Sequence, residues 1–221
     1  MRDVPDNTGR FKSRPHYEPK ELDRLFEKVL IDFFKESHGS IPIPVTTDDI
    51  TLLIERDTSD FDPGSDLSEY GLNVEGVTEF PKNGKPRVRI ASELAYDEVR
   101  ENRYRTTLTH EYGHVCLHTY LFQMIDSEKD RKQVCKRDAI VGASAVDWIE
   151  WQAGYACGAL LMPASKVRQR ATNFMTNQNL DSDKPIRGLP ALDLIELIKN
   201  DFQVSEAAAR VRLSILGFLP N

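Results

Sequence analysis

The chain has 221 residues, of which 40% are hydrophobic and 29% are charged, and its formal net charge is −6 at pH 7. This composition supports a core in one large domain, or in one domain with a small appendage. The negative charge argues against a broadly basic nucleic-acid-binding surface, and no apolar run approaches the ~20 residues that a membrane-spanning helix needs.

Residues 1–19 are polar, contain several prolines and show little periodicity, which predicts a flexible arm. They also lack the apolar centre of a secretory signal. From Glu21 to Phe34, apolar residues recur at helical spacing, so a helix is expected there. Gly39 and Pro42 then end it.

Short strands are expected in the next segment. Ile50–Ile54 predicts a first strand, and Asp60–Ser65 is expected to be a turn-rich loop because Pro and Gly lie at its centre. Leu72–Phe80 and Arg87–Ala91 predict two more strands, joined by a hairpin turn at Lys82–Lys85. The result is a small β-sheet of about three strands ahead of a helical region.

Helices are predicted for most of the remaining chain. Two polar stretches, 126–138 and 173–188, are expected to be connections. The predicted helices run from about residue 98 to 122, from 144 or 147 to 161, onward from about 164, from 190 to 200, and from 205 to 216.

The first of these helices carries His110-Glu111-Tyr112-Gly113-His114, which matches the H-E-x-x-H pattern of zinc peptidases. Residues four apart lie on one face of a helix, so His110 and His114 can bind one metal ion. Glu111 projects beside them and can accept a proton from a metal-bound water. Gly113 either allows close packing beside the metal or is simply tolerated in the helix.

Two histidines leave a catalytic zinc ion short of its usual third protein ligand. His118 lies on the same face, but it is about 12 Å from His110 along the helix axis, too far for all three to share one ion. We expect it to support the ligands by hydrogen bonding, or to lie at the helix end. The metzincin pattern is excluded because Leu117 and Tyr120 replace its glycine and third histidine.

Glu150 is the candidate for the third ligand. It lies between Trp148 and Trp151 in an apolar helix, where a carboxylate is costly to bury without a cation. Alternatively, Asp147 caps the helix and Glu150 completes a capping box. Ser144 offers another cap that would free Glu150, and Asp147 is the second candidate for the third ligand.

Two sequence blocks resemble the ImmA/IrrE metallopeptidases. Residues 107–118 match that family's T-L-x-H-E-x-G-H-x-x-L-H block, and residues 150–163 resemble its E-x-x-A-x-x-F-A-x-x-L-L-M-P block. The resemblance extends over roughly residues 50–219. Gln152 replaces a second acidic residue found in many members, which leaves Glu150 as the natural ligand. Gly154 replaces a usual asparagine.

The resemblance implies an α+β fold in which the small sheet packs on a zincin-like helical core with additional C-terminal helices. We expect a flexible arm at 1–19, a zincin-like metallopeptidase domain at 20–165 and a C-terminal helical subdomain, resembling a helix-turn-helix, at 166–221.

The same resemblance implies a gluzincin-like metalloendopeptidase that holds one Zn²⁺ per chain. His110, His114 and Glu150 would bind the ion, and Glu111 would be the catalytic base. The donor that stabilises the oxyanion is not identified by the sequence. The residues expected to support the site from outside the ligand set are His118, Asp147 and Tyr155.

Members of this family typically cleave a helix-turn-helix repressor, which relieves repression of stress, mobile-element or anti-phage genes. The resemblance therefore implies a protein substrate of that kind. A zincin cleft often takes its peptide as an added strand at a sheet edge, and Arg87–Ala91 is the candidate edge. Alternatively, that strand is an ordinary solvent-facing one.

The three cysteines are odd in number and lack the spacing of a disulfide framework, which favours a reduced, cytoplasmic protein without a membrane partner. Cys135 precedes Lys136 and Arg137, whose charge would lower its thiol pKa. It is either an inhibitory metal ligand, as in similar peptidases of anti-phage operons, or a surface thiol. Cys116 and Cys157 are expected to be small core residues.

Two other classes of function remain open. The last two helices have the size of a helix-turn-helix and carry Arg210 and Arg212, so DNA binding, or DNA as an activating signal, is one alternative. The chain would then be a DNA-binding regulator that retains a metal site for structure. The other alternative is an antitoxin-type module that binds a protein without hydrolysing it.

Overall fold

The computed structural model describes residues 1–35, 37, 39–124, 134–138 and 147–220. No helix in these ranges combines the length and the apolar character that crossing a membrane requires. The fold is α+β, as expected. In chain order the helices and strands are β1 (Arg2–Pro5), β2 (Ser13–His16), α1 (Pro19–Phe34), α2 (Thr47–Asp57), β3 (Asp60–Ser65), β4 (Val74–Glu79), β5 (Arg87–Ala91), α3 (Ser92–Ala95), α4 (Glu101–Gln123), β6 (Val134–Asp138), α5 (Trp148–Leu161), α6 (Ala164–Asn177), α7 (Leu189–Phe202) and α8 (Glu206–Ile215).

The chain divides into two compact units. The first comprises the described residues of Met1–Leu22 and Thr46–Cys157, and the second those of Asp23–Val45 and Gly158–Asn221. All the described strands lie in the first unit, together with α4 and most of α5. In the second unit, Arg212 is buried and its Nη2 lies 2.8 Å from Asp23 Oδ1, so a paired charge is enclosed by α1 and α8.

The main sheet of the first unit has the strand order β3-β5-β4-β6. β3 pairs parallel with β5, whereas β4 pairs antiparallel with both β5 and β6. The expected hairpin of β4 and β5 is therefore confirmed. The expected edge strand is wrong: Arg87–Ala91 is β5, which lies between β3 and β4, so both of its sides are already hydrogen-bonded. Among the described strands, β3 and β6 form the edges.

Two local expectations are also wrong. Ile50–Ile54 lies in the helix α2, where Thr46 and Asp49 form a capping box: the Thr46 N–H donates to Asp49 Oδ2 at 2.9 Å and the Asp49 N–H donates to Thr46 Oγ1 at 3.2 Å. The buried residues of α2 are spaced for one helix face. Asp60–Ser65 is the strand β3, not a loop. A proline is tolerated there because β3 is at the sheet edge, and the register shifts at this point.

β4 is the strand that faces α4. All six of its residues are buried. On its other face, Val74 and Val77 form a cluster with Leu67, Tyr70 and Ala91, which covers the sheet. β4 is therefore packed on both of its faces, and one of these faces lies against the motif helix α4.

Residues 2–16, within the segment expected to be an arm, include the antiparallel pair of β1 and β2. The Phe11 ring, between these strands, packs edge-on against Phe122 and Trp148 at centroid distances of 5.3 and 5.9 Å. The Trp148 indole N–H donates to Asp6 Oδ1 at 3.0 Å. These contacts hold the hairpin at the start of α5, a tertiary effect that local periodicity does not reveal.

Candidate metal centre and active site

α4 places the two motif histidines one turn apart on its buried face. His110 is 5% exposed and His114 is fully buried. Their Nε2 atoms lie 3.1 Å apart, so both imidazoles point to the same small volume. That arrangement follows from the spacing of four residues and from the burial of this face of α4.

Glu150 completes this group from α5. Its Oε2 lies 3.0 Å from His110 Nε2, and its Oε1 lies 3.6 Å from His114 Nε2. One ligand atom from each of the three residues lies within 4.8 Å of the others. We call His110, His114 and Glu150 the metal group. Burial raises the pKa of Glu150, but hydrogen bonds with His110 and His114 outweigh it and hold that pKa well below its usual value. The carboxylate is therefore ionised beside two imidazoles.

The spacing of these donor atoms fits a small tetrahedral cation. Ligand atoms about 2.0–2.1 Å from a tetrahedral zinc ion lie about 3.3 Å from one another. The observed separations of 3.0, 3.1 and 3.6 Å lie on both sides of that value. Two imidazoles and a carboxylate are also a common catalytic zinc set, so these residues could hold a metal ion.

Glu111 lies apart from this group and is fully buried against β4. The Thr78 hydroxyl donates to Glu111 Oε2 at 2.6 Å. A Cβ on Gly76 would lie 2.6 Å from Glu111 Oε1 and 2.9 Å from Thr107 Cγ2, so a side chain at this position would push the carboxylate aside. The strand thus fixes Glu111 as a carboxylate separate from the metal group.

Gly113 lies at a close approach of α4 and α5. A Cβ on Gly113 would lie 2.7 Å from Ala156 Cβ and 3.2 Å from Ala153 Cα. Backbone atoms of α5 cannot move aside as a flexible side chain can. The close-packing interpretation of this glycine therefore holds, and the contact determines how far Glu150 stands from the histidines.

His118 extends the row of histidines away from the metal group. Its Nδ1 lies 3.0 Å from His114 Nδ1, and its Nε2 lies 3.0 Å from Gln152 Oε1. The Gln152 amide in turn donates to the Pro15 carbonyl at 2.9 Å. His118 does not belong to the group of three ligand atoms, in agreement with the distance argument from the sequence.

The other two residues expected near the site have different contacts. Asp147 Oδ1 accepts the Ile149 N–H at 3.0 Å at the start of α5 and forms an ion pair with Arg10. It therefore caps the helix and is not part of the metal group. The Tyr155 ring packs on Trp151 at 5.8 Å. The alternative cap Ser144 lies outside the described residues.

Cys135 is buried, at 5% exposure, so the surface-thiol interpretation is wrong. It lies on β6, opposite Thr78 of β4. Burial raises the pKa of its thiol, while the charge of His114 and a hydrogen bond with it act in the opposite direction. The pairing of β6 with β4 thus brings Cys135 next to a motif histidine.

Three contributors to the site were not predicted from the sequence. Thr78 and Gly76 hold Glu111, and Gln152 holds His118. Strand pairing and helix packing bring them there over long sequence separations, which local patterns do not encode. The departure of Gln152 from the acidic residue of many family members was the one available signal.

Comparison with known proteins agrees with this geometry. No curated relative matches the chain. The family model Peptidase_M78, described as an IrrE N-terminal-like domain, matches residues 94–214, which is more than half of the chain and includes both α4 and α5. The chain therefore belongs to this family and is a peptidase of the ImmA/IrrE kind.

Proposed function

We propose that this protein is a zinc-dependent endopeptidase that cleaves a specific regulatory protein, a helix-turn-helix repressor. The observation that carries the proposal is the convergence of His110, His114 and Glu150 on one small volume, with Glu111 held separately beside it. Family membership supports peptidase chemistry, and the donor set supports zinc.

The residues divide the chemistry between them. A zinc ion, when bound, lowers the pKa of a coordinated water and polarises the carbonyl group of the substrate. Glu111 accepts the proton of the attacking water and delivers it to the leaving amine. Thr78 and Gly76 keep the Glu111 carboxylate in one position while it does so. Glu150 cannot take this role, since its oxygens face the two histidines.

The buried Glu111 also favours an enzyme over the two alternatives. A metal site retained only for structure, or a protein-binding module, needs no carboxylate held against the neighbouring strand. Burying a carboxylate costs free energy unless it is hydrogen-bonded, and the Thr78 hydroxyl supplies such a hydrogen bond to Glu111. An enzyme that uses Glu111 as its base accounts for this arrangement, whereas neither alternative does.

We further propose that Cys135 restrains the enzyme as an inhibitory metal ligand. Its strand β6 covers β4 on the side that would otherwise be an open edge, and its thiol contacts His114. A substrate strand would have to displace β6 or add beyond it. Replacing Cys135 with Ser should increase basal cleavage, whereas Cys116→Ser should not; equal activities would contradict this role.

The proposed function is tested by metal content and cleavage together. Wild-type protein should contain about one zinc per chain by mass spectrometry. Glu150→Ala should lose most of it, while Glu111→Gln should retain zinc and bind the repressor without cleaving it. The substrate is a repressor encoded beside this gene, detected by the fragments it yields. A Glu111→Gln variant that still cleaves would refute the mechanism.

A further inference from the structure

We propose that the N-terminal segment helps to build the metal centre. Through the Pro15 carbonyl, Gln152 and His118, it determines which nitrogen of His114 carries a proton and keeps the other nitrogen directed at the metal. This inference rests on the metal centre proposed above. His118 and Gln152 are positioning residues here, since neither reaches the metal group itself.

The residues form a continuous chain of short polar contacts. The Gln152 amide nitrogen lies 2.9 Å from the Pro15 carbonyl, and its oxygen lies 3.0 Å from His118 Nε2. The other ring nitrogen of His118 lies 3.0 Å from His114 Nδ1. His114 Nε2 then faces His110 and Glu150.

When both imidazoles are neutral, only one arrangement of protons satisfies this chain. A carbonyl oxygen can only accept, so the Gln152 amide donates to Pro15 and its oxygen must accept from His118 Nε2. A neutral imidazole has one donor and one acceptor, so His118 Nδ1 accepts from His114 Nδ1. His114 then keeps the lone pair on Nε2, which is the atom that belongs to the metal group.

Burial keeps water away from these hydrogen bonds. His114 and His118 are 0% exposed and Gln152 is 1% exposed, so water does not offer alternative partners. A cationic imidazole enclosed in this way, between a neutral amide and another imidazole, would be costly, so His118 is neutral, as the chain of contacts requires.

The Pro15 carbonyl, where the chain of contacts begins, lies outside the region that the family model matches. Pro15 lies on β2, whereas the family model begins at residue 94. The N-terminal segment is held in place by Phe11, which packs on Phe122 and Trp148, and by the bond from Trp148 to Asp6. Hydrogen bonds that fix a metal-binding histidine commonly change metal affinity by about 10–100-fold.

The test measures zinc affinity by competition with a chromogenic chelator, on the full chain. Gln152→Leu and His118→Leu should weaken binding by about 10–100-fold. His118→Asn should be intermediate, because its side-chain oxygen replaces Nδ1 as acceptor but does not reach Gln152. Phe11→Ala, remote from the ligands, should weaken binding in the same direction by a smaller factor.

A matched control is Gln123→Leu. Gln123 also donates its amide to a backbone carbonyl, that of Gly84 at 2.7 Å, but it is exposed and takes no part in this row of contacts. Its zinc affinity should equal that of the wild type. The melting temperature of each metal-free variant separates a loss of folding from a loss of affinity.

Imidazole ¹⁵N shifts of the wild-type protein provide a reading that needs no variant. They should show His118 as the neutral Nε2–H tautomer, both metal-free and zinc-loaded. A proton on Nδ1 of His118, or Leu variants that bind zinc as the wild type does, would overturn the inference. Wild-type protein that binds no zinc would instead refute the proposed function.

Discussion

Replacing Gly113 with Ala is the most direct test of how the helix packing sets the metal centre. The new Cβ would lie 2.7 Å from Ala156 Cβ, whereas ordinary contact begins near 3.4 Å, so α5 has to retreat by about 0.7 Å or more. Glu150 lies one turn before Ala153 on α5 and moves with it. Zinc–ligand distances normally lie within about 0.2 Å of their usual values, so a shift of this size matters to a metal site.

The expected effect on function is much larger than the effect on stability. Alanine gains about 1 kcal/mol over glycine in a helix interior, which partly offsets about 1–3 kcal/mol of overpacking. The net loss in the free energy of unfolding is therefore about 0–2 kcal/mol. Displacement of a reacting group by about 1 Å can reduce the rate by about 100-fold, and zinc affinity should fall with it.

Gly154→Ala is the matched control for this experiment. Gly154 is also in a helix, on α5, but a Cβ there meets no atom within 4 Å. The control should gain up to about 1 kcal/mol and retain zinc and activity. Zinc affinity is measured by competition and stability by denaturant unfolding of the metal-free protein. If Gly113→Ala and Gly154→Ala bind zinc equally well, the packing argument is refuted.

Three further predictions concern Glu111 and the pH dependence of stability. Thr78→Val removes the hydroxyl that holds Glu111, so kcat should fall by about 10-fold or more with zinc content unchanged; a proportional loss of zinc would contradict this. Gly76→Ala should displace Glu111 and abolish cleavage while zinc affinity stays within a few-fold, as measured by the same competition. Burial raises the pKa of Asp57, but hydrogen bonds from Arg56 and Tyr112 lower it below its usual value. The ionised Asp57 therefore stabilises the fold above about pH 4, and this contribution is lost as the pH falls further. Asp57→Asn should make the free energy of unfolding less dependent on pH in that range, as measured by denaturant unfolding at a series of pH values.

The helix that carries the motif histidines was the part of the candidate site most readily predicted from the sequence. The H-E-x-x-H spacing fixes His110 and His114 on one helix face whatever the rest of the chain does, because the helical repeat is local. Glu150 was accessible for a different reason: an acidic residue in an apolar helix needs a partner, and the histidines are that partner. Both arguments depend on local pattern and burial alone.

Helices and strands that depend on capping or on strand pairing were harder to predict from the sequence. Ile50 and Ile54 favour a strand by composition, yet the capping box at Thr46 starts a helix that buries them on one face. The position of β5 inside the sheet depends on the parallel pairing with β3, a segment whose Pro-Gly predicts a turn. Strand order is decided by contacts across the chain, and no local signal distinguishes an inner strand from an edge strand here.

In the proposed mechanism, the roles of the two glutamates are determined by their surroundings and not by residue type. Glu150 extends between two imidazoles, and its lowered pKa keeps it an anion suited to a cation. Glu111 is one residue from His110 but points to β4, where Thr78 binds one oxygen and Gly76 leaves space for the other. Exchanging the two roles would require moving a strand or a helix. If Glu111 is the proposed catalytic base, Glu111→Asp should therefore lose activity, because a carboxylate one methylene shorter loses either the bond from Thr78 or the reach to the attacking water.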